Sequence, residues 1–180
     1  MNRFMDINDT FELNEKELME YYGYKGGFGK LKIRIKYLRS WILHSLAYSS
    51  THSDFTIRMQ KARGVEIGKN CHFCPYVLID LIYPSLVKIS DCVTIGSNAM
   101  IFAHSNPTAN LFLKKGEYQR KVAEVNIRTG AVINPGCIVT SGVTIGENSI
   151  ISPGSVVTQN IPEYSIAVGN PARVVKKINH

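Results

Sequence analysis

From residue 65 onward an apolar residue recurs every six positions, and this period constrains the fold more than any other feature of the chain. One set is Ile67, Phe73 and Ile79; a second is Ile89, Ile95 and Ile101. A third runs unbroken through Ile127, Ile133, Val139, Ile145, Ile151 and Val157. All are β-branched or aromatic, as strand positions favour. Two residues before each stands a second column of small or β-branched residues: Val65, Cys71, Val77, Val87, Val93, Ala99, Val125, Ala131, Cys137, Val143, Ser149 and Ser155. A period of six fits neither a helix at 3.6 nor a strand at 2. It fits short strands joined by tight turns, with two inward side chains per hexad. Three hexads per turn make a triangular prism whose equivalent residues stack like parallel strands. Twelve hexads predict about four coils and a prism roughly 20 Å tall.

The 180 residues and 44% hydrophobic content suit one domain, or one domain with a short appendage. No apolar run approaches the roughly 20 residues of a membrane span. Met1 to Thr10 holds two aspartates and no apolar core, unlike a signal peptide, so a cytoplasmic location is expected. The net charge of +7 suits nucleic acid, an anionic membrane surface or a phosphorylated ligand, and composition alone does not choose. No nucleic-acid motif accompanies the charge. Of the four cysteines, Cys71 and Cys74 form a CxxC-like pair that suggests zinc or redox chemistry. The hexad places Cys71 and Cys137 in the small column, where they read as compact hydrophobes.

The interruptions locate the chemistry. The step from Ile79 to Ile89 is ten residues and that from Ile101 to Ile127 is twenty-six. Both follow the third hexad of a coil, so both leave the prism at one edge, one coil apart. The longer one, about 103–124, must protrude as a loop. Stacked departures from a rigid scaffold are where a site is expected. His104 alone among the five histidines stands at this break.

The segment VTIGENSIISPGSVVT at 143–158, followed by VGNPAR at 168–173, resembles the C-terminal signature of hexapeptide-repeat acetyltransferases. GVEIG at 64–68 and YPSLVKI at 83–89 are similar to the sugar- and polysaccharide-modifying branch of that family. The resemblance covers about residues 60–178. It implies a left-handed parallel β-helix, an all-β solenoid, assembled as a homotrimer with sites between subunits. Handedness rests on the resemblance alone, since ordinary parallel crossovers are right-handed.

The resemblance further implies acetyl-CoA as acyl donor, no metal, and a histidine base in the loop that His104 opens. Neutral imidazole at working pH can take a proton from an attacking hydroxyl. The competing reading is a turn histidine satisfied by backbone. Asp80, just after Ile79, either orients His104 or binds an acceptor hydroxyl, or only shapes a turn. Matched one at a time to the family, Pro135 and Pro153 would line the pantetheine arm. Thr158 and Gln159 match a pair that is commonly Thr-Lys, and Arg173 and Lys176 match basic residues near the CoA phosphates. Gln159 removes one cation from that set, and a merely solvated basic tail remains the alternative.

Residues 1–60 read as a helical segment, 61–162 as the β-helix and 163–180 as a short C-terminal helix or tail. Phe11 to Tyr22 reads as a short acidic helix ended by the glycines at 23, 26, 27 and 29, and Ser49 to Asp54 as a linker. Leu31, Ile35, Leu38, Ile42 and Leu46 recur at helical spacing, with Lys30, Lys32, Arg34, Lys36 and Arg39 around them. This helix either docks on the prism or makes peripheral contact through 30–46 with an anionic inner membrane face.

The expected function is O-acetylation of a sugar or glycan-precursor hydroxyl. Alternatives are a non-catalytic hexapeptide scaffold, or acetylation of an antibiotic or amino-sugar. Zinc lyases of the carbonic anhydrase type need several histidine ligands at the subunit boundary, and three are hard to assemble from this set.

Overall fold

The hexads become strands. In the computed structural model, which describes residues 7–179 (side chains of 7–9 excepted), each large apolar residue ends a two- or three-residue strand. The acidic start and His180 lie largely outside the described residues. In chain order the strands are β1 Glu66–Ile67, β2 His72–Phe73, β3 Leu78–Ile79, β4 Val87–Ile89, β5 Thr94–Ile95 and β6 Met100–Ile101. Two more, β7 His104–Ser105 and β8 Lys121–Val122, mark where the chain leaves the prism and returns to it. β9 Val125–Ile127, β10 Val132–Ile133, β11 Ile138–Val139, β12 Thr144–Ile145, β13 Ile150–Ile151 and β14 Val156–Val157 complete the repeat.

These strands form three parallel faces in the orders β1-β4-β9-β12, β2-β5-β10-β13 and β3-β6-β11-β14. The hexads from Val65 to Val157 therefore form a three-sided parallel β-helix of four coils. Ile67 pairs with Ile89, Ile89 with Ile127 and Ile127 with Ile145, so the large column stacks in register. All of that column is buried except Ile67, half-buried on the first coil. Each such burial contributes about 1.5–3 kcal/mol. The small column closes the interior, and Cys137 is fully buried there. Cys71, on the first coil, is only half-buried, and its thiol contacts the Ser90 carbonyl at 3.1 Å. Burial pushes both thiols up in pKa, the opposite of what a reactive thiolate needs.

The corners explain why the hexad repeats. The residue preceding the small column adopts positive φ at Asn70, Tyr76, Cys92, Asn98, Gly130, Gly136, Gly142, Asn148 and Gly154. A left-handed residue turns the chain sharply, and Gly or Asn does so at least cost. After the large residue the constraint is space instead. A Cβ on Gly146 would lie 2.3 Å from the Glu163 nitrogen, so only glycine lets that chain pass.

The C-terminal segment is neither the helix nor the loose tail expected. Ser165–Gly169 (β15) and Ala172–Lys177 (β16) form an antiparallel pair, and β15 extends the second face beside β13. Alternating burial of Ser165 and Ala167 gives that segment strand rather than helix periodicity.

Before the prism lie α1 (Ile7–Tyr21), α2 (Gly26–Tyr48) and α3 (Ser53–Arg63). Helix α3 takes in only the last two residues of the expected linker, Ser53 and Asp54, and runs on through Arg63, past the expected start of the β-helix at 61. It packs against β1 and β2, burying Thr56 and Gln60, and the Ser53 hydroxyl accepts the Phe73 N–H at 2.8 Å. The glycines at 26, 27 and 29 open α2 rather than only ending α1. The apolar stripe of α2 does not face inward. Leu31, Ile35, Leu38, Ile42 and Leu46 are 45–57% exposed, whereas Ile33, Ser40, His44 and Ala47 are buried.

The described chain divides into two units: residues up to 39 with 105–121, and residues 40–104 with 122–179. In the first, the long loop carries a short helix, α4 (Leu111–Lys115), capped by the Asn110 side chain accepting the Leu113 N–H at 3.0 Å. Lys114 is buried and paired with Glu17 at 2.8 Å, and Arg120 reaches the same carboxylate at 3.0 Å. Asn14 on α1 donates to the Thr108 carbonyl and accepts from Asn106. The loop is thus tied down within that unit by a polar network.

Candidate active site

Strands β3 and β6 are neighbours on the third face, with Ile79 opposite Ile101. The residues that follow them emerge at the same corner on successive coils. There the Asp80 Oδ2 lies 2.5 Å from His104 Nδ1. Asp80 is 1% exposed and accepts from four donors. Oδ1 takes the N–H groups of Ile82 and Tyr83, and Oδ2 takes the Ala103 N–H, each at 2.9 Å, besides the imidazole. The ten-residue step between Ile79 and Ile89 supplies the first two donors and the twenty-six-residue step after Ile101 the third.

Burial raises the Asp80 pKa, but the His104 hydrogen bond, its charge and the Tyr83 and Ile82 amides together outweigh it. The net direction is downward, and the carboxylate is ionised. An ionised carboxylate only accepts, so Nδ1 of the neutral imidazole carries the proton. The lone pair is then on Nε2. The His104 side chain is 19% exposed, so solvent and ligands can reach it. Tyr83 is buried and packs edge-on against the imidazole, ring centroids 5.2 Å apart, which restricts its rotation.

A second set of contacts holds Asp80 from behind. Arg63, at the end of α3, donates through Nη2 to the Asp80 carbonyl at 2.6 Å and the Ile79 carbonyl at 3.1 Å. Its Nη1 meets Gln60 Oε1 at 2.5 Å and His44 Nδ1 at 3.2 Å, and its Nε donates to Ser40 at 3.1 Å. Burial lowers the guanidinium to about 10, with Asp80 acting in the opposite direction, so it stays charged. Burial, then the charge of Arg63, lowers His44 to about 4. Arg63, His44 and Tyr83 escape sequence reasoning as members of this site. Arg63 lies outside the hexads, and nothing in its neighbourhood signals a contact with residue 80.

The residues expected to hold CoA occupy other places. Pro135 and Pro153 are exposed and adjacent at the corner between the second and third faces, where the Gly154 N–H donates to the Pro135 carbonyl at 3.0 Å. Thr158 and Gln159, also exposed, follow β14 at the His104 corner, on the fourth coil. Arg173 and Lys176 are exposed on β16. One chain therefore unites Asp80 with His104 but leaves Pro135 and Pro153 on a different edge. Among the described residues no group of three His, Cys, Asp or Glu could hold a metal.

The family model for the bacterial transferase hexapeptide (six repeats) matches residues 124–159, the unbroken part of the stacked columns. Over that span the chain is similar to the hexapeptide-repeat transferases. It is 36% identical over 118 residues to a galactoside O-acetyltransferase of Lactococcus lactis, a match covering 62% of this chain and 55% of that protein. The galactoside O-acetyltransferase of Escherichia coli is 32% identical over 115 residues, 64% of this chain and 55% of that one. The chain thus spans little more than half the length of these curated relatives. Among solved structures, a galactoside acetyltransferase in complex with coenzyme A superposes with a TM-score of 0.64 at 27% identity, covering 82% of each chain. A maltose O-acetyltransferase from Clostridium difficile shares the fold, with a TM-score of 0.65 at 24% identity over 82% of this chain and 89% of that one.

Proposed function

We propose that this hexapeptide-repeat protein is an acetyl-CoA-dependent O-acetyltransferase acting on a hydroxyl of a sugar or glycan precursor. The observation that carries the reading is the buried carboxylate of Asp80 on Nδ1 of His104, which leaves Nε2 as an accessible base. In the reaction Nε2 takes the proton of the acceptor hydroxyl as its oxygen attacks the thioester carbonyl. The C–S bond of the tetrahedral intermediate then breaks, and the imidazolium returns its proton to the leaving sulfur. The products are the acetyl ester and free CoA, with no acyl-enzyme. Asp80 stabilises the transient imidazolium, and Arg63 and the Ile82, Tyr83 and Ala103 amides hold the carboxylate in place.

The acyl donor is supported by the coenzyme A-bound relative and by the family match of Pro135, Pro153, Thr158, Gln159, Arg173 and Lys176. Two separate edges of one prism can serve one site only if edges of neighbouring copies meet. This favours a homotrimer with sites between subunits, and the left hand of the β-helix rests on the family resemblance. The sugar acceptor is supported by the galactoside and maltose O-acetyltransferase relatives.

The test is thiol release from acetyl-CoA against a panel of glycosides, amino-sugars and antibiotics, with His104→Ala beside wild type. Sugar-dependent release lost in His104→Ala supports the reading. Equal turnover in the variant would overturn the mechanism, and no turnover with any acceptor would favour a non-catalytic scaffold. A monomer in gel filtration would contradict the shared site.

A further inference from the structure

The outward face of α2 is apolar where a surface helix is ordinarily polar. Phe28 is 70% exposed, and Leu31, Ile35, Leu38, Ile42 and Leu46 are each about half exposed. At 3.6 residues per turn these six project within a stripe roughly 80° wide. The buried positions, Ile33, Ser40, His44 and Ala47, project from the opposite side of the helix. Among the described residues nothing buries this stripe, which runs along the helix parallel to its axis.

The borders of the stripe decide what it fits. Arg39, Lys32 and Lys36 project along one border, and Arg34, Lys30 and half-exposed Trp41 along the other. No acidic residue occurs between Gly26 and Tyr48. Lys30 and Arg34 share Glu15 of α1, whereas the ammonium of Lys32 lies over Tyr24 and Phe28 and that of Lys36 over Tyr22. A second copy of α2 laid on this stripe would set cations against cations along both borders. A surface that is apolar within and anionic at its rim satisfies both parts at once. Long basic side chains beside an apolar stripe extend toward headgroups, and an indole favours that boundary. No helix of the described residues is long and apolar enough to cross a membrane, so α2 would lie in the interface.

We propose that α2 is a membrane-surface helix that docks its Phe28–Leu46 stripe into an anionic lipid leaflet. The inference stands independently of the acyl-transfer reading.

The full-length protein is tested by co-sedimentation with vesicles of phosphatidylcholine alone and of phosphatidylcholine with one third phosphatidylglycerol. Binding to the anionic vesicles, weakened by high salt, is expected. The triple variant Lys32→Gln, Lys36→Gln, Arg39→Gln should bind about 100-fold more weakly. Ile35→Ser with Leu38→Ser should lose binding at all salt concentrations while keeping the wild-type circular dichroism, since both side chains are exposed. Equal binding to neutral and anionic vesicles, or no binding to either, would overturn the proposal. So would an Ile35→Ser, Leu38→Ser variant that binds like wild type, or one that changes oligomeric mass by light scattering without changing vesicle binding. The last result would make the stripe an interface between copies of this chain.

Discussion

The Asp80 carboxylate and the His104 imidazole are 24 positions apart in the chain and 2.5 Å apart in space, because the residues before them, Ile79 and Ile101, share a register on adjacent coils. The contact fixes which imidazole nitrogen is free. If the site transfers acyl groups as proposed, His104→Ala lowers kcat by about 10²–10⁴-fold. In Asp80→Asn an amide can donate to Nδ1, which moves the imidazole proton to Nε2 and removes the base. A fall in kcat of about 10²–10⁴-fold is expected, with KM for acetyl-CoA little changed and an altered pH–rate profile. A merely structural Asp80 would lower folding stability and leave the pH profile of the remaining activity unmoved.

Arg63 is the positioning residue behind this pair, since its Nη2 holds both the Ile79 and Asp80 carbonyls. Arg63→Met leaves those acceptors unpaired and should cost about 2–4 kcal/mol of stability by denaturant titration. It should also lower kcat more than it raises KM. Arg63→Lys, which can reach only part of the fork, should restore part of both.

Acid should weaken the fold through His44. Its folded pKa is lowered from 6.5 to about 4, so between those values the unfolded chain binds the extra proton. Stability therefore rises with pH across that window and is lost as pH falls, by up to about 1.4 kcal/mol per pH unit. Asp80 adds the same direction at lower pH, because its folded pKa is also depressed. Urea midpoints at pH 5 and pH 7 check this: the wild type should lose more on acidification than His44→Gln. Parallel losses would remove His44 from the account.

The stacked column makes a separate prediction for the prism. Ile133 is fully buried between Ile95 and Ile151, and Ile133→Ala should cost about 2–5 kcal/mol. Gly146→Ala adds one methyl against the Glu163 backbone rather than removing any, and should also destabilise. Thermal unfolding of the two variants separates a lost contact from a forced one.

The prism is legible in the hexad pattern alone. Its hexad period is a local property, repeated often enough that each coil dictates the next, so the column from Ile67 to Val157 was legible with its register. The two broken steps likewise located the corner where Asp80 and His104 emerge. The use made of the non-repeating segments follows from packing between distant residues. Whether Leu31 or Ile33 faces outward depends on which side of α2 meets the rest of the chain, and both sides carry apolar residues at helical spacing. The C-terminal strands β15 and β16 follow from an edge that must be paired, not from any hexad. The grip of Arg63 on residue 80 is a contact between segments 17 positions apart whose sequences carry no mutual period. Periodicity encodes what repeats, and the tertiary packing of single side chains settles the rest.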